Sequence, residues 1–148
     1  MEITAGKTAI DQIVKKEVFI MDLGSDISSE WCLNEFGDLD LVSNKDNIIQ
    51  AIINRLSCDL DSLQLFYSGY GSVLSCFFGW KPKQRTLDFM KIEIENVLAQ
   101  DERIKDNTVS LNYSGDGVIA VNIEIIVNNE LIDFKINISE NGVELNGN

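Results

Sequence analysis

Carboxylates are the side chains of this sequence best suited to acid–base chemistry. Four of the 24 Asp and Glu residues, Glu30, Glu35, Asp38 and Asp40, lie in one short stretch. Two carboxylates that flank a sugar bond are the usual machinery of a glycosidase. One of the two also needs an apolar pocket that raises its pKa, and nothing beside these residues indicates such a pocket. The stretch therefore does not predict a catalytic pair.

Other catalytic and metal-binding groups are scarce. The 148 residues include no His, so neither a Ser-His-Asp nor a Cys-His system can be assembled. Cys32, Cys58 and Cys76 form no Cys-x-x-Cys pair, and we expect reduced thiols, with Cys58 and Cys76 packed in the core. The acidic stretch 59–61 lacks the spaced oxygen ligands of a calcium loop. We therefore predict no catalytic residue, no cofactor and no metal site, and a protein that is not an enzyme.

The overall charge narrows the classes of partner. The chain carries a formal net charge of −12, which disfavours binding to nucleic acid or to an anionic membrane. The longest apolar run, residues 73–80, is far shorter than a bilayer-spanning helix requires. The first 20 residues lack the pattern of a secretory signal. We expect a cytoplasmic protein without a transmembrane segment.

Positive charge is concentrated in one place. Lys81, Lys83, Arg85 and Lys91 supply four of the 12 Lys and Arg within 11 residues. Exposed charges of this kind are often only solvated and add little stability. Against an acidic background, they are also typical of a docking patch for an acidic protein surface, where complementary charge sets orientation and association rate. The sequence leaves both interpretations open.

Arg103 stands where a helix gives way to a sheet, in the stretch Gln100-Asp101-Glu102-Arg103-Ile104. An arginine at such a junction can pair with Asp101 or with the last helical carbonyls, and so fix the helix to the sheet. It can equally reach a partner protein.

The remaining sequence predicts an N-terminal arm over residues 1–16 and a single domain over 17–148. Strands are indicated at 17–22, 31–33 and 39–42, and they form a small N-terminal β-meander. Ser43 is a candidate N-cap for a helix over about residues 45–58. A short helix follows within 73–78, and Thr86 is the candidate N-cap of a second long helix ending near Gln100. The helical positions expected to face the core are Ile48, Ile52, Leu56, Leu87, Ile94 and Val97.

The last third of the chain alternates with period two, as strands do. Asn128-Asn129 suits a two-residue turn, because Asn tolerates positive φ, and this turn pairs Val127 with Glu130. The resulting register puts four apolar pairs on one face: Ile125 with Ile132, Ile123 with Phe134, Val121 with Ile136 and Ile119 with Ile138. Further strands are predicted over 109–113 and 142–145. The predicted class is α+β, with two main helices packed on a mostly antiparallel C-terminal sheet.

Residues 36–42, 47–56, 70–74 and 101–104 carry four motifs whose order resembles that of the small baseplate wedge proteins of contractile phage tails, a lysozyme-like family with relatives in type VI secretion. Residues 36–42 resemble the family's turn and strand before its first helix, and residues 47–56 are similar to that helix. Residues 70–74, Tyr-Gly-Ser-Val-Leu, are similar to its Tyr-Gly-Ser-x-Leu step. Residues 101–104 fall on an acidic-Pro-Arg-Ile signature, with Glu102 in place of the proline.

The resemblance implies a sheath initiator, a structural protein of the baseplate. Asp101, Glu102 and Arg103 would attach it to wedge proteins, and six copies would surround a central tube. Neither nucleic acid nor a membrane is expected among its partners. Its C-terminal sheet would receive strands from sheath subunits, and the particle would be a phage tail, a bacteriocin or a secretion-like injector. The alternatives are a soluble regulatory adaptor of the same fold and a carboxylate-dependent muramidase.

The outer face of the predicted hairpin has one unusual feature. In the predicted register, Glu124 stands opposite Asp133, and only Lys135 on the diagonal offsets this like-charge pair. A solvated surface tolerates such a pair. The alternative is that these three residues await a cationic arm of a sheath subunit.

Overall fold

The computed structural model describes residues 22–147. The predicted arm over 1–16 and all but the last residue of the predicted strand 17–22 lie outside that range. The N-terminal elements are strands β1 (Ser25–Ile27) and β2 (Leu41–Ser43), helix α1 (Asn44–Ser57) and a 3₁₀ turn (Leu74–Phe77). Helix α2 (Gln84–Ala99) follows, and then β3 (Asp106–Tyr113), β4 (Ile119–Val127), β5 (Glu130–Ser139) and β6 (Gly142–Leu145).

The alternating segments form a four-stranded antiparallel sheet in the order β3-β4-β5-β6. Asn128 and Asn129 have φ values of 52° and 63°, as a type I′ turn requires. Val127 faces Glu130, and all four predicted apolar pairs are present, so the predicted register is confirmed. The two edges of the sheet are β3 and β6, which the sequence also indicated as strands.

Both helices pack on the apolar face of this sheet, α1 near β6 and α2 near β3. The inward side chains of β4 and β5 are buried, whereas most of their outward neighbours are exposed. Of the helical positions predicted to face the core, Leu87 is partly buried and the others are buried. The α+β class with two helices on a C-terminal antiparallel sheet is therefore confirmed.

The helix starts agree with the sequence in one case and differ in the other. Ser43 does occupy the N-cap position of α1, although its side chain makes no capping hydrogen bond. The prediction of Thr86 as the second N-cap is wrong, because α2 begins at Gln84 after Lys83. The Lys83 carbonyl already accepts the N–H groups of Thr86 and Leu87, which places Thr86 inside the first turn.

The N-terminal region is a two-stranded sheet of β1 and β2 with a turn between them. The predicted strand over 31–33 is reduced to a single bridge between Leu33 and Leu39. Trp31 has a φ of 53°, which interrupts an extended conformation. The meander is therefore shorter and more irregular than predicted.

The cysteines are free thiols, but their predicted packing is only partly correct. Cys58 is half-buried, whereas Cys76 is exposed. The 3₁₀ turn buries Leu74 and leaves Cys76 toward solvent, so the prediction of a core position for Cys76 is wrong. Within residues 22–147, no helix has the length and apolarity needed to cross a membrane.

Candidate functional site

A cleft of about 430 Å³ lies between α1 and the C-terminal end of α2. Its walls come from three separate stretches of sequence: α1, Tyr70 in the loop after α1, and the end of α2 with the residues that follow it. Helix α1 and helix α2 form the two sides, and the turn after α2 closes one end. The lining residues are Ala51, Ile52, Arg55, Tyr70, Val97, Gln100, Asp101, Glu102 and Arg103. The three residues predicted to bind wedge proteins, Asp101, Glu102 and Arg103, thus all line one cleft.

Arg103 is held by Asp101 in a two-pronged ion pair. Its Nε donates to Asp101 Oδ1 at 2.9 Å, and its Nη2 donates to Oδ2 at 2.6 Å. The backbone N–H of Arg103 also donates to Oδ1, at 3.0 Å. Both side chains are largely buried, with 23% and 17% of their surfaces exposed. The predicted pairing of Arg103 with Asp101 is present, and it occupies most of the guanidinium fork.

The same guanidinium also reaches the N-terminal segment. Arg103 Nη1 donates to the carbonyl of Leu23 at 3.0 Å, across 80 residues of sequence. Asn47 Nδ2 on α1 donates to the same carbonyl at 2.8 Å. Arg103 therefore joins the turn after α2 to the start of the described chain, rather than to the last helical carbonyls.

The ion pair shifts both titrations. Burial alone would raise the pKa of Asp101, but the hydrogen bonds and charge of Arg103 outweigh burial and hold that pKa below its usual value. The hydrogen bond from Arg103 to Asp101 raises the pKa of the arginine further. The carboxylate is therefore ionised and fully engaged at neutral pH.

This lowered pKa makes a prediction about stability. A carboxyl group whose pKa is lower in the folded state stabilises the fold above its unfolded pKa, about 3.9, and loses that contribution as the pH falls through the folded pKa. We expect part of the fall in unfolding free energy between pH 6 and pH 2 to disappear in Asp101→Asn. Urea unfolding at several pH values measures this difference. An unchanged pH profile in the variant would contradict the assignment.

Arg55 faces the cleft from α1 and makes no ion pair with any residue in 22–147. The nearest feature is the ring of Tyr70, whose centroid lies 4.8 Å from the guanidinium carbon. This is cation–π geometry. Burial raises the pKa of Tyr70, and the charge of Arg55 partly opposes that rise.

The position of Tyr70 depends on close backbone packing at Gly71. Ser72 forms a parallel bridge with Asp59, and its hydroxyl donates to the carbonyl of Leu56 at 2.8 Å. A Cβ atom at Gly71 would lie 2.6 Å from the carbonyl oxygen of Asp59, and its φ is +111°. Only glycine fits both conditions, so the Tyr-Gly-Ser step has a structural reason.

Sequence reasoning did not single out Arg55 as a site residue. A signal was nevertheless present, because Arg55 is the only charged residue between Asn47 and Cys58. Such a lone charge needs a polar or aromatic partner if it is not fully exposed, and Arg55 is half-buried. Its convergence with Tyr70 is a property of the fold and not of spacing.

The residues predicted to bind the sheath lie elsewhere, on the outer face of the sheet. Glu124 faces Asp133 directly in the register, and Lys135 faces Asn122. All three charged side chains are exposed. Among the described residues, none of the three takes part in an ion pair. The like-charge pair is therefore present and uncompensated.

The basic cluster lies before and along the start of α2. Lys91 makes a long ion pair of 3.8 Å with Glu95, whereas Lys81, Lys83 and Arg85 have no ion pair with any residue in 22–147. The outer face of α2 also exposes Phe89 and Ile92. The cluster is thus a mixed basic and apolar surface, separate from the cleft.

Within the described part of the chain, no three His, Cys, Asp or Glu side chains converge as metal ligands. Asp61, one of the two aspartates of the acidic stretch 59–61, uses its carboxylate to accept the N–H of Gly69 at 2.7 Å. That carboxylate therefore stabilises the loop between Asp61 and Gly69.

No family model and no curated protein matches the chain. A similarity exists at the level of structure. The fold resembles a crystal structure of a putative tail lysozyme from Geobacter sulfurreducens, with a TM-score of 0.55 and 16% sequence identity. The match covers 74% of this chain and 97% of the other. At this identity, the similarity establishes a shared fold.

Proposed function

We propose that this protein is a structural baseplate component of a contractile injection machine. It attaches to wedge proteins and nucleates sheath assembly by offering its C-terminal sheet for strand addition. The observation that carries the proposal is the shared fold with a putative tail lysozyme, which extends over nearly all of that protein. The motif order of residues 36–104 points in the same direction.

Exposed apolar side chains support a role in an assembly. Trp31 and Phe36 in the N-terminal turn are 74% and 82% exposed, and Leu65 in the loop after α1 is 95% exposed. Large apolar side chains that lie close together on a surface are typical of sites that a partner covers, and Trp31 and Phe36 share one short loop. A component enclosed by neighbouring subunits accounts for them more simply than an isolated adaptor does.

The edge strand β3 supports strand addition. It has eight residues against four in β6, and no other strand of the described chain lies along its outer side. The two-residue turn makes Val127 and Glu130 a hydrogen-bonded pair, so Val121, in the same phase, also points its N–H toward β5. Leu111 stands opposite Val121, and its N–H therefore points away from the sheet. An incoming strand finds free donors and acceptors along this edge.

The acidic pair beside that edge favours a cationic arm. Thr108 on β3 faces Glu124, which in turn faces Asp133. A strand that adds to β3 brings its side chains next to Thr108 and within reach of the Glu124 carboxylate. A Lys or Arg on the arm would offset the like-charge repulsion. The sheath protein is therefore expected to carry a basic residue in the segment that adds.

Affinity purification tests the proposed assembly. The tagged full-length protein, expressed in its native host, is expected to retain wedge and sheath proteins, identified by mass spectrometry. Arg103→Lys is expected to weaken wedge binding, because lysine lacks the planar fork that orders the end of the cleft. Recovery of the tagged protein with a transcription or protein-degradation factor instead would favour the adaptor.

Hydrolysis of the cell wall is the activity that the name of the similar structure suggests, and we propose that this protein is not an enzyme. Asp101 in the first cleft is engaged by Arg103. A second cleft, of about 450 Å³, brings Trp80 near Asp116, Glu140 and Glu144. The backbone N–H of Val118 holds the pKa of Asp116 below its usual value, opposite to the change that a general acid needs.

We accordingly expect the purified protein to release no soluble fragments from peptidoglycan. The measurement is the release of reducing sugar from purified cell walls, with an active lysozyme as the positive control. Turnover that disappears in Glu140→Gln or Glu144→Gln, but persists in the surface control Glu130→Gln, would show that the second cleft is catalytic.

A further inference from the structure

The cleft contains an arginine, Arg55, that forms no ion pair with another residue of the described chain. Arg55 makes no ion pair within 4 Å and no side-chain hydrogen bond with residues 22–147. A guanidinium has five N–H donors in a fixed planar arrangement. Here those donors face a cleft of about 430 Å³ rather than a protein acceptor.

Asp101, one of the two carboxylates that line the cleft, is already occupied. Asp101 lies close enough for the charge of Arg55 to contribute to its lowered pKa. Both of its oxygens nevertheless accept hydrogen bonds from Arg103, which takes three of the available acceptor positions. Arg103 thus occupies both carboxylate oxygens of Asp101, and the guanidinium of Arg55 remains available to bind another acceptor in the same cleft.

Tyr70 restricts the orientation of the free arginine. Its ring lies 4.8 Å from the guanidinium carbon, and a second ring contact to Tyr67, with centroids 6.0 Å apart, supports it. An arginine stacked on an aromatic ring loses less conformational freedom when it binds an anion. The apolar walls supplied by Ile52 and Val97 exclude water from one side, which strengthens a charge-assisted hydrogen bond.

We propose that this cleft binds a carboxylate presented by a partner protein, with Arg55 as the arginine that pairs with it and Tyr70 as the residue that positions Arg55. In this arrangement, Arg103 and Asp101 shape the cleft, and Arg55 makes the contact between chains. The identity of the partner as a wedge protein rests on the proposed function. The carboxylate site itself rests only on the geometry of the cleft.

A titration with defined peptides tests the site without the assembled particle. The probe is acetyl-Leu-Glu-Leu-amide, added to the isotope-labelled full-length protein and followed by NMR at the Arg55 Nε–H and the Tyr70 ring. We expect saturable shifts at both residues, and none with the isosteric Gln peptide. Acetyl-Leu-Leu with a free C-terminal carboxylate distinguishes a side-chain carboxylate from a chain terminus as the preferred group.

Substitutions provide a second test of the carboxylate site. Arg55→Lys keeps the charge but loses the fork, and we expect at least about tenfold weaker binding of the Glu peptide, as for loss of one hydrogen bond to a charged group. Lys45→Gln is the control, because Lys45 is an exposed cation on the same helix that does not line the cleft. Its affinity should equal that of the wild type. Thermal unfolding of each variant checks that the fold is intact.

Three results would overturn the proposal: no saturable shift in the wild-type protein, equal binding of the Glu and Gln peptides, or equal loss of affinity in the Arg55 and Lys45 variants. The first two results are measured on the wild-type protein. They therefore remain decisive even if Arg55→Lys does not fold. Peptide binding without recovery of wedge or sheath proteins would leave the carboxylate site intact and remove the baseplate role. Recovery of wedge or sheath proteins without peptide binding would support the baseplate role and contradict the carboxylate site.

Discussion

Replacement of Gly71 by alanine is expected to lower the unfolding free energy by about 3 kcal/mol or more. The added Cβ would lie 2.6 Å from the carbonyl oxygen of Asp59 and 2.8 Å from that of Cys58. Both obstacles are backbone atoms in the segment that pairs with Ser72, so relief requires the bridge between Asp59 and Ser72 to open. Urea unfolding followed by circular dichroism measures the change.

Gly142 provides a control with nearly the same φ. Its φ is +113°, against +111° for Gly71, but a Cβ there meets no atom within 4 Å. Gly142→Ala should therefore show only the conformational cost of a left-handed residue, about 1–2 kcal/mol. Equal destabilisation by the two substitutions would show that close backbone approach does not explain the requirement for glycine at position 71.

The sheet could be predicted from the sequence because two independent constraints agree there. Asn128-Asn129 suits a two-residue turn, and the apolar alternation on both flanking segments accepts only one register. A slip of one residue would move Ile123 and Phe134 to the solvent face. The two long helices could be predicted for a similar reason, because the apolar stripe of each helix recurs on three or more successive turns.

The N-terminal region lacked such agreement between constraints. The segment around Trp31 is short and largely exposed, so burial does not select between extended and turn conformations. Its positive φ at Trp31 depends on local packing that composition does not encode. The sequence accordingly indicated strands there but misplaced their boundaries.

The candidate site was predictable only in part. The pairing of Arg103 with Asp101 follows from their separation of two residues and from the turn between helix and sheet. The contribution of Leu23 and Asn47 joins distant segments, and so does the approach of Arg55 to Tyr70. Those contacts depend on how α1, α2 and the loop between them pack, and no local pattern reports that packing.

The second large expected effect is loss of sheath assembly when β3 loses an outward N–H. Leu111→Pro removes the donor that faces away from β4 and places a ring where an added strand must approach. A proline is tolerated at the edge of a sheet, so the domain itself should still fold. Strand addition depends on consecutive main-chain hydrogen bonds, and we therefore expect sheath to fail to nucleate.

Leu111→Ala is the matched control for this substitution. Leu111 is half-buried, and both variants remove its packing against the core, but alanine keeps the backbone N–H. We expect the two variants to have similar unfolding free energies. Sheath assembly should be normal with alanine and absent with proline.

The most direct test of a sheath-initiating role is the fraction of particles that carry sheath in a strain whose only copy of this protein is one of these variants. Electron microscopy of purified particles counts baseplates with and without sheath. A sheath-initiating role predicts full-length sheath on particles with the wild type and with Leu111→Ala, and bare baseplates and tubes with a folded Leu111→Pro. Normal sheath number and length with the folded proline variant would contradict it.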